Sequence, residues 1–103
     1  MKSEADWQVQ YSGPYGLKHW VDFAKAHGKP FSVPEWGLYP TRGSNGGGDN
    51  PLYIAKMLSF FRSNEANLAY EAYFNEPADY YQGAIFRPSL NPKAAAAYKS
   101  ALG

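Results

Sequence analysis

Apolar positions along the chain switch between two spacings. Residues 17 to 27 repeat at helical intervals, with Leu17, Trp20, Val21 and Ala24 on one face. Gly28 is a stop signal, and Pro30 prevents continuation. Phe31 to Trp36 then reads as a short strand of buried type. A second helical stretch begins at Asn50-Pro51, where Asn50 suits the cap and Pro51 the first turn. Its apolar face is Ile54, Met57, Leu58 and Phe61, and it should stop near Ser63-Asn64. Leu68 to Phe74, "LAYEAYF", predicts a second strand. Asn91-Pro92 repeats the Asn-Pro start and opens a last helix to about Leu102, with Ala95, Tyr98 and Leu102 on one face. The Ala94–Ala97 run adds helix propensity.

Residues 1 to 16, rich in Gly and Tyr, read as a loop ending in the turn Gly13-Pro14-Tyr15-Gly16. "YPTRGSNGGGDNP" and residues 75 to 90 read as further loops, with a short extended piece at Ala84 to Arg87 in the latter. The predicted order is therefore loop, helix, strand, helix, strand, helix. Helices alternating with strands predict an α/β fold with a parallel sheet. Two parallel strands leave open edges, and each helix has one face to bury. A closed (β/α)8 barrel needs about 250 residues. The reading is therefore a partial (β/α)8 barrel, one domain over 1–103, that either is completed by self-association, most simply as a two-fold homodimer, or has settled into a rearranged compact form.

Composition narrows the function. Net charge is +1 without a basic run, which argues against nucleic acid or acidic lipid as a partner. No apolar stretch approaches the roughly 20 residues of a membrane span. The N-terminus MKSEADWQVQ has no hydrophobic run, so no signal peptide is expected; the protein is cytoplasmic or was cut from a longer chain. The absence of cysteine excludes disulfides and thiolate metal sites and leaves the compartment open. Nine Tyr and three Trp exceed what a core of this size needs. Such an excess suits a surface that stacks on sugars.

The chemistry centres on Glu35, at the end of the first strand, where barrels carry catalytic groups. There a carboxylate can serve as nucleophile or general base. The alternative is a strand-end Glu solvated by its loop or paired with Arg42. Glu71, inside the second strand, is the second candidate, with a purely structural polar role as its alternative. Alternation puts Glu71, Tyr73 and Asn75 on one face and Tyr70, Ala72 and Phe74 on the other. Glu35 and Glu71 on adjacent strands could approach the 5 to 5.5 Å of a retaining pair, roughly the spacing such enzymes need. Glu76 and Asp79 follow in an exposed loop. Trp7, Tyr11, Tyr15, Trp36, Tyr39, Tyr80 and Tyr81 lie in or beside the loops of one end. Trp7, Tyr11, Trp36 and Tyr39, with Tyr73 and Asn75, are the candidate substrate contacts; the alternative is that several of the rings cover helices. His19 and His27 lack metal-binding spacing and read as helix-surface residues, so no metal site is expected. The GGGD at 46–49 lacks the Lys-Ser/Thr of a phosphate loop, and no cofactor is implied.

Taken together, "GLKHWVDFAKAHGKPFSVPEWGLY", "GGGDNPLYIAKMLSFFRSN", "LAYEAYFNEP" and "NPKAAAAYKSALG" resemble the C-terminal part of (β/α)8 glycoside hydrolases of the large retaining superfamily, clan A. The likeness is to family 26 β-mannanase-type and related bacterial endoglycanase domains, which are usually secreted, and it covers nearly the whole chain. It rests on Gly-Lys-Pro before strand seven, Glu-Trp-Gly at its end and an aromatic-rich strand eight. The resemblance implies that the chain holds helix six through helix eight and that Glu35 falls on the nucleophile position. It implies β-linked oligo- or polysaccharide as substrate. The acid/base Glu of these enzymes lies on strand four, which has no counterpart here, and Glu71 does not match it. Three expectations follow: a glycoside hydrolase active as an oligomer, a non-catalytic saccharide-binding module, or a purely structural barrel portion.

Overall fold

The computed structural model describes residues 3–40, 48–78, 81–86 and 89–102. Its elements are α1 (Glu4–Ser12), α2 (Leu17–Ala26), β1 (Phe31–Trp36), α3 (Pro51–Ser63), β2 (Leu68–Tyr73) and α4 (Pro92–Leu102). β1 and β2 pair in parallel, with Phe31 opposite Leu68, Ser32 opposite Tyr70, Val33 opposite Glu71 and Trp36 opposite Tyr73. The chain is thus a small α/β domain built on a two-stranded parallel sheet. Both strands and the three helices α2, α3 and α4 fall where hydrophobic spacing predicts them.

The first helix corrects the loop reading of residues 1 to 16. EADWQVQYS has no amphipathic stripe, so periodicity misses it. Two local devices hold it instead. The Ser3 hydroxyl accepts a hydrogen bond from the Asp6 N–H, and Glu4 and Asp6 favour the positive end of the helix dipole. One turn apart, the rings of Trp7 and Tyr11 stack with centroids 5.7 Å apart. They pack onto α3, where Tyr11 meets Phe60 edge-on, and Lys56 pairs with Glu4 at 2.7 Å. Trp7 is buried as a result.

At the end of α2, Gly28 takes φ +64°, which only glycine adopts without strain, and the Lys29 N–H returns to the Ala24 carbonyl at 2.9 Å. Val21 is the buried anchor of α2, with Leu17 packed against the core. Trp20, expected on the same face, is instead 52% exposed on the helix flank.

α3 is the central helix. Asn50 accepts from the Tyr53 N–H at 3.1 Å, as the Asn-Pro signal predicts. Ile54, Met57, Leu58 and Phe61 are buried as expected, and Phe60 joins them toward α1 and β1. Each fully buried side chain of this size stabilises the fold by about 1.5–3 kcal/mol. α4 packs on α3, with Ala94 wholly buried in the core and the Tyr98 ring set against Trp36 and Tyr73 of the two strands. Ala94 therefore does more than favour helix: it is part of the core. Leu102, expected on the apolar face, is exposed, and the helix is fastened there by Arg62, whose guanidinium donates to the Ala101 carbonyl at 2.7 Å.

The two Asn-Pro starts are not equivalent. Asn91 turns its amide to the carbonyls of Gln82 and Ala84, at 2.9 and 3.0 Å. The free N–H groups of α4 are met by Asp49, whose carboxylate accepts from Lys93 and Ala94 at 2.9 and 2.7 Å. A residue from the loop before α3 thereby caps the last helix. Among the described residues, no helix is long and apolar enough to cross a membrane.

Candidate functional site

β1 ends in an irregularity. The three-residue step from Val33 to Trp36 faces the two-residue step from Glu71 to Tyr73, so β1 carries an extra residue between them. Trp36 emerges buried and Glu35 exposed. Glu35 borders a cleft of about 360 Å³ at the C-terminal end of the strand. Gln10 of α1, Tyr53 and Met57 of α3, Gly37, Tyr39 and Tyr81 complete most of its wall.

The aromatic side of this cleft is ordered by packing. Tyr81 lies between Tyr39, 4.4 Å away between centroids, and Phe74, which it meets edge-on at 4.9 Å. Burial, with the negative charge of Glu35 as a smaller contribution, pushes the Tyr81 phenol above its usual value. Gly83 permits this approach. A Cβ there would sit 2.5 Å from the Tyr81 ring and 2.6 Å from the Leu38 carbonyl. Tyr53, which the sequence reading did not single out, reaches the same wall from the first turn of α3. Burial pushes its phenol up to about 12. Its signal was its place two residues after the Asn50-Pro51 start, which turns it toward the strand end.

Tyr73 ties the cleft together from behind. Its hydroxyl accepts from the Leu38 N–H at 3.2 Å and donates to the Gly83 carbonyl at 2.8 Å. It thereby joins the segment after β1 to the loop after β2. Burial pushes this phenol, too, up to about 12. Asn75 organises the same loop. Its side-chain oxygen accepts from the N–H groups of Ile85 and Phe86 at 2.8 and 3.2 Å, and its amide donates to the Phe86 carbonyl at 2.6 Å. Both residues, expected as substrate contacts, spend their polar atoms on the backbone.

Glu71 lies elsewhere. It lines a second cleft of about 250 Å³ with Leu58, Phe61, Arg62, Glu65, Leu68 and Leu102. Its carboxylate accepts a hydrogen bond from the Trp36 indole. The fold therefore separates the two candidate carboxylates into different clefts, and Glu71 anchors Trp36. Trp36 itself sits among Tyr53, Phe61, Tyr73 and Tyr98 and is 5% exposed, a core residue and not a rim platform. Trp7 is likewise core. It and Tyr11 border a third cleft of about 200 Å³ with Lys56, Ser59, Ser63 and Asn64. Of the six expected substrate contacts, Tyr39 is the one the structure places beside Glu35 with an exposed ring.

His19 and His27 are exposed on α2 and its C-cap, and among the described residues no group of three or more His, Asp or Glu side chains could hold a metal ion. Glu76 is half-buried, where the sequence reading expected exposure. Tyr15 is well exposed against His19 and Trp20, away from the Glu35 cleft. Arg42, Asp79 and Tyr80, together with Gly46, Gly47 and Arg87, lie outside the described residues; nearby, Ile85 forms an isolated antiparallel bridge with Ser89. Comparison with protein families, curated proteins and solved structures finds no match.

Chemically, Glu35 is the one carboxylate among the described residues lining its cleft. A lone carboxylate there can accept hydrogen bonds from hydroxyl groups, stabilise a developing positive charge or attack an electrophilic carbon. It cannot also protonate a leaving oxygen while serving as nucleophile.

Proposed function

We propose that the Glu35 cleft is the saccharide site of a glycoside-hydrolase-like portion of a (β/α)8 barrel acting on β-linked polysaccharide, with Glu35 as the nucleophile. The observation that carries this reading is an exposed carboxylate at the C-terminal end of a parallel strand, beside an exposed tyrosine ring packed on a second one. Strand ends of this kind are where barrel enzymes hold reacting groups. Ring faces beside a carboxylate suit a sugar, whose C–H surface packs on the ring while its hydroxyls donate to the acid. The sequence resemblance points to the same residue. Glycosyl transfer through Glu35 needs a second carboxyl to protonate the leaving oxygen, supplied from outside this cleft by another chain or another part of a longer one.

A second reading, saccharide binding without turnover, is favoured by the absence of a second acid among the described lining residues. Reducing-sugar release from mannan, xylan and cellulose, with calorimetric titration of the matching oligosaccharides, separates the two. Release that disappears in Glu35→Gln supports hydrolysis. Binding without release, weakened in Tyr39→Ala, supports the binding module. Neither release nor binding by the folded chain refutes both.

A further inference from the structure

Gln82, in the loop after β2, holds a backbone angle that a side chain resists. Its φ is +55°, in the left-handed region where a Cβ crowds the following carbonyl. Tyr15 shares such an angle but stands away from the Glu35 cleft. Gln82 is exposed, so packing of its side chain does not impose the angle. The surrounding backbone bonds do. The Tyr81 and Gln82 N–H groups both donate to the Ala78 carbonyl at 2.8 Å, and the Gly83 N–H donates to the Glu76 carbonyl at 2.9 Å. The Gln82 and Ala84 carbonyls accept from the amide of Asn91, which is buried, and the Gly83 carbonyl accepts from the Tyr73 hydroxyl. Strain of this kind persists only where the surroundings over-determine it, and it clusters at ligand clamps.

What the angle achieves is the placement of one ring. Tyr81 folds back over the residue two positions on, so closely that a Cβ on Gly83 would lie 2.5 Å from its ring. That approach needs the chain to reverse at the residue between, which is Gln82. The reversal sets the Tyr81 ring 4.4 Å from Tyr39 and 4.9 Å from Phe74, on the wall of the Glu35 cleft. Glycine would take the same angle without strain, but it would leave the backbone free to move into the many other states open to it. A residue with a Cβ has only a small left-handed well and stays in it once the neighbouring groups are bonded.

We infer that Gln82 is a positioning residue, whose clamped left-handed backbone holds the Tyr81 ring preformed as a platform for one sugar ring beside Glu35. The sugar rests on the saccharide reading; the placement of the ring does not. A ring fixed before the ligand arrives has little freedom left to lose, and affinity gains by that amount.

Three variants of the full chain test this: Gln82→Gly, Gln82→Ala and Gln82→Asn. At an ordinary exposed position glycine is the less stable of the first two. At +55° the order should reverse, with the urea midpoint of Gln82→Gly above that of Gln82→Ala. Nitration by tetranitromethane, read at each tyrosine by peptide mass spectrometry, reports the ring. Relative to Tyr15, which is 74% exposed, Tyr81 should react several-fold faster in Gln82→Gly. Gln82→Asn keeps a Cβ and tolerates the angle, so it should restore the parent rate. Calorimetric titration with hexasaccharides of mannan, xylan and cellulose should show Gln82→Gly binding about three- to tenfold more weakly than the parent. A Gln82→Gly variant less stable than Gln82→Ala, or one with Tyr81 nitrated at the parent rate, overturns the positioning role. Faster nitration with unchanged affinity overturns the platform. A parent that binds none of the hexasaccharides sinks the saccharide reading, and the platform with it, while midpoint order and nitration still decide whether Gln82 positions Tyr81.

Discussion

Replacing Tyr73 by Phe removes one oxygen atom and leaves the ring in place. That oxygen holds two backbone groups, the Leu38 N–H at 3.2 Å and the Gly83 carbonyl at 2.8 Å. Leu38 and Gly83 are both buried, so water cannot simply replace the lost partner. A buried polar group left unsatisfied costs about 1–3 kcal/mol. Two such groups, with some relaxation of the loop, set the expected loss near 2–3 kcal/mol. For a domain of this size that lowers the midpoint of thermal unfolding by roughly 10 to 20 °C. Urea unfolding followed by tryptophan fluorescence measures it, with Tyr15→Phe as the control because that ring is 74% exposed. The control should stay within about 0.5 kcal/mol of the parent. If Tyr73→Phe is as stable as the control, the hydroxyl bridge does not fasten the two loops, and the account of the cleft's rear wall fails.

The buried phenols also predict alkaline sensitivity. Tyr53 and Tyr73 hold their protons up to about 12 in the fold against 10.0 when free, so the folded state binds more protons between those values. Their contribution is complete below pH 10.0 and is lost as pH rises toward about 12; urea midpoints across that range should fall, and fall less steeply in Tyr53→Phe. Asp49→Ala should cost about 1–2 kcal/mol in urea unfolding, because it removes both acceptors at the start of α4. Asn75→Ala should leave global stability less affected but accelerate hydrogen exchange at the Ile85 and Phe86 amides by an order of magnitude or more, roughly the loss of one bond's protection each. Trp36→Phe keeps an aromatic ring in the core but deprives Glu71 of the indole donor; a loss of about 1–2 kcal/mol in thermal unfolding is expected, and no loss would mean that the indole–carboxylate contact contributes nothing.

The periodic parts of the fold were legible because burial imposes periodicity. Ile54, Met57, Leu58 and Phe61 repeat at helical spacing since one side of α3 faces the core. Phe31 to Trp36 and Leu68 to Tyr73 stand out as short aromatic and aliphatic runs between turn signals. The Asn50-Pro51 start was legible because capping is local chemistry, complete within four residues. Helix α1 was not, since its pattern of burial is one tryptophan and its stabilisers are a cap and a stacked pair. Glu35 was legible as a strand-end acid, and its exposure beside Tyr39 and Tyr81 agrees with that placement.

Local order and the inventory of reactive groups are written along the chain, because helix caps, strand runs and residue types act over a few positions. Partnership is not. Asn50 and Asn91 share the same Asn-Pro signature, yet one caps its helix while the other braces a loop and leaves its helix to Asp49, more than forty residues away. Glu35 and Glu71 are both acids on the paired strands, one at the end of β1 and one inside β2. A one-residue irregularity in β1, and an indole that needs an acceptor, send them to separate clefts. Hydrogen-bond and packing demands that close over long sequence distances are met only when the elements assemble, and at that step one glutamate becomes a tryptophan's anchor and the other is left facing solvent.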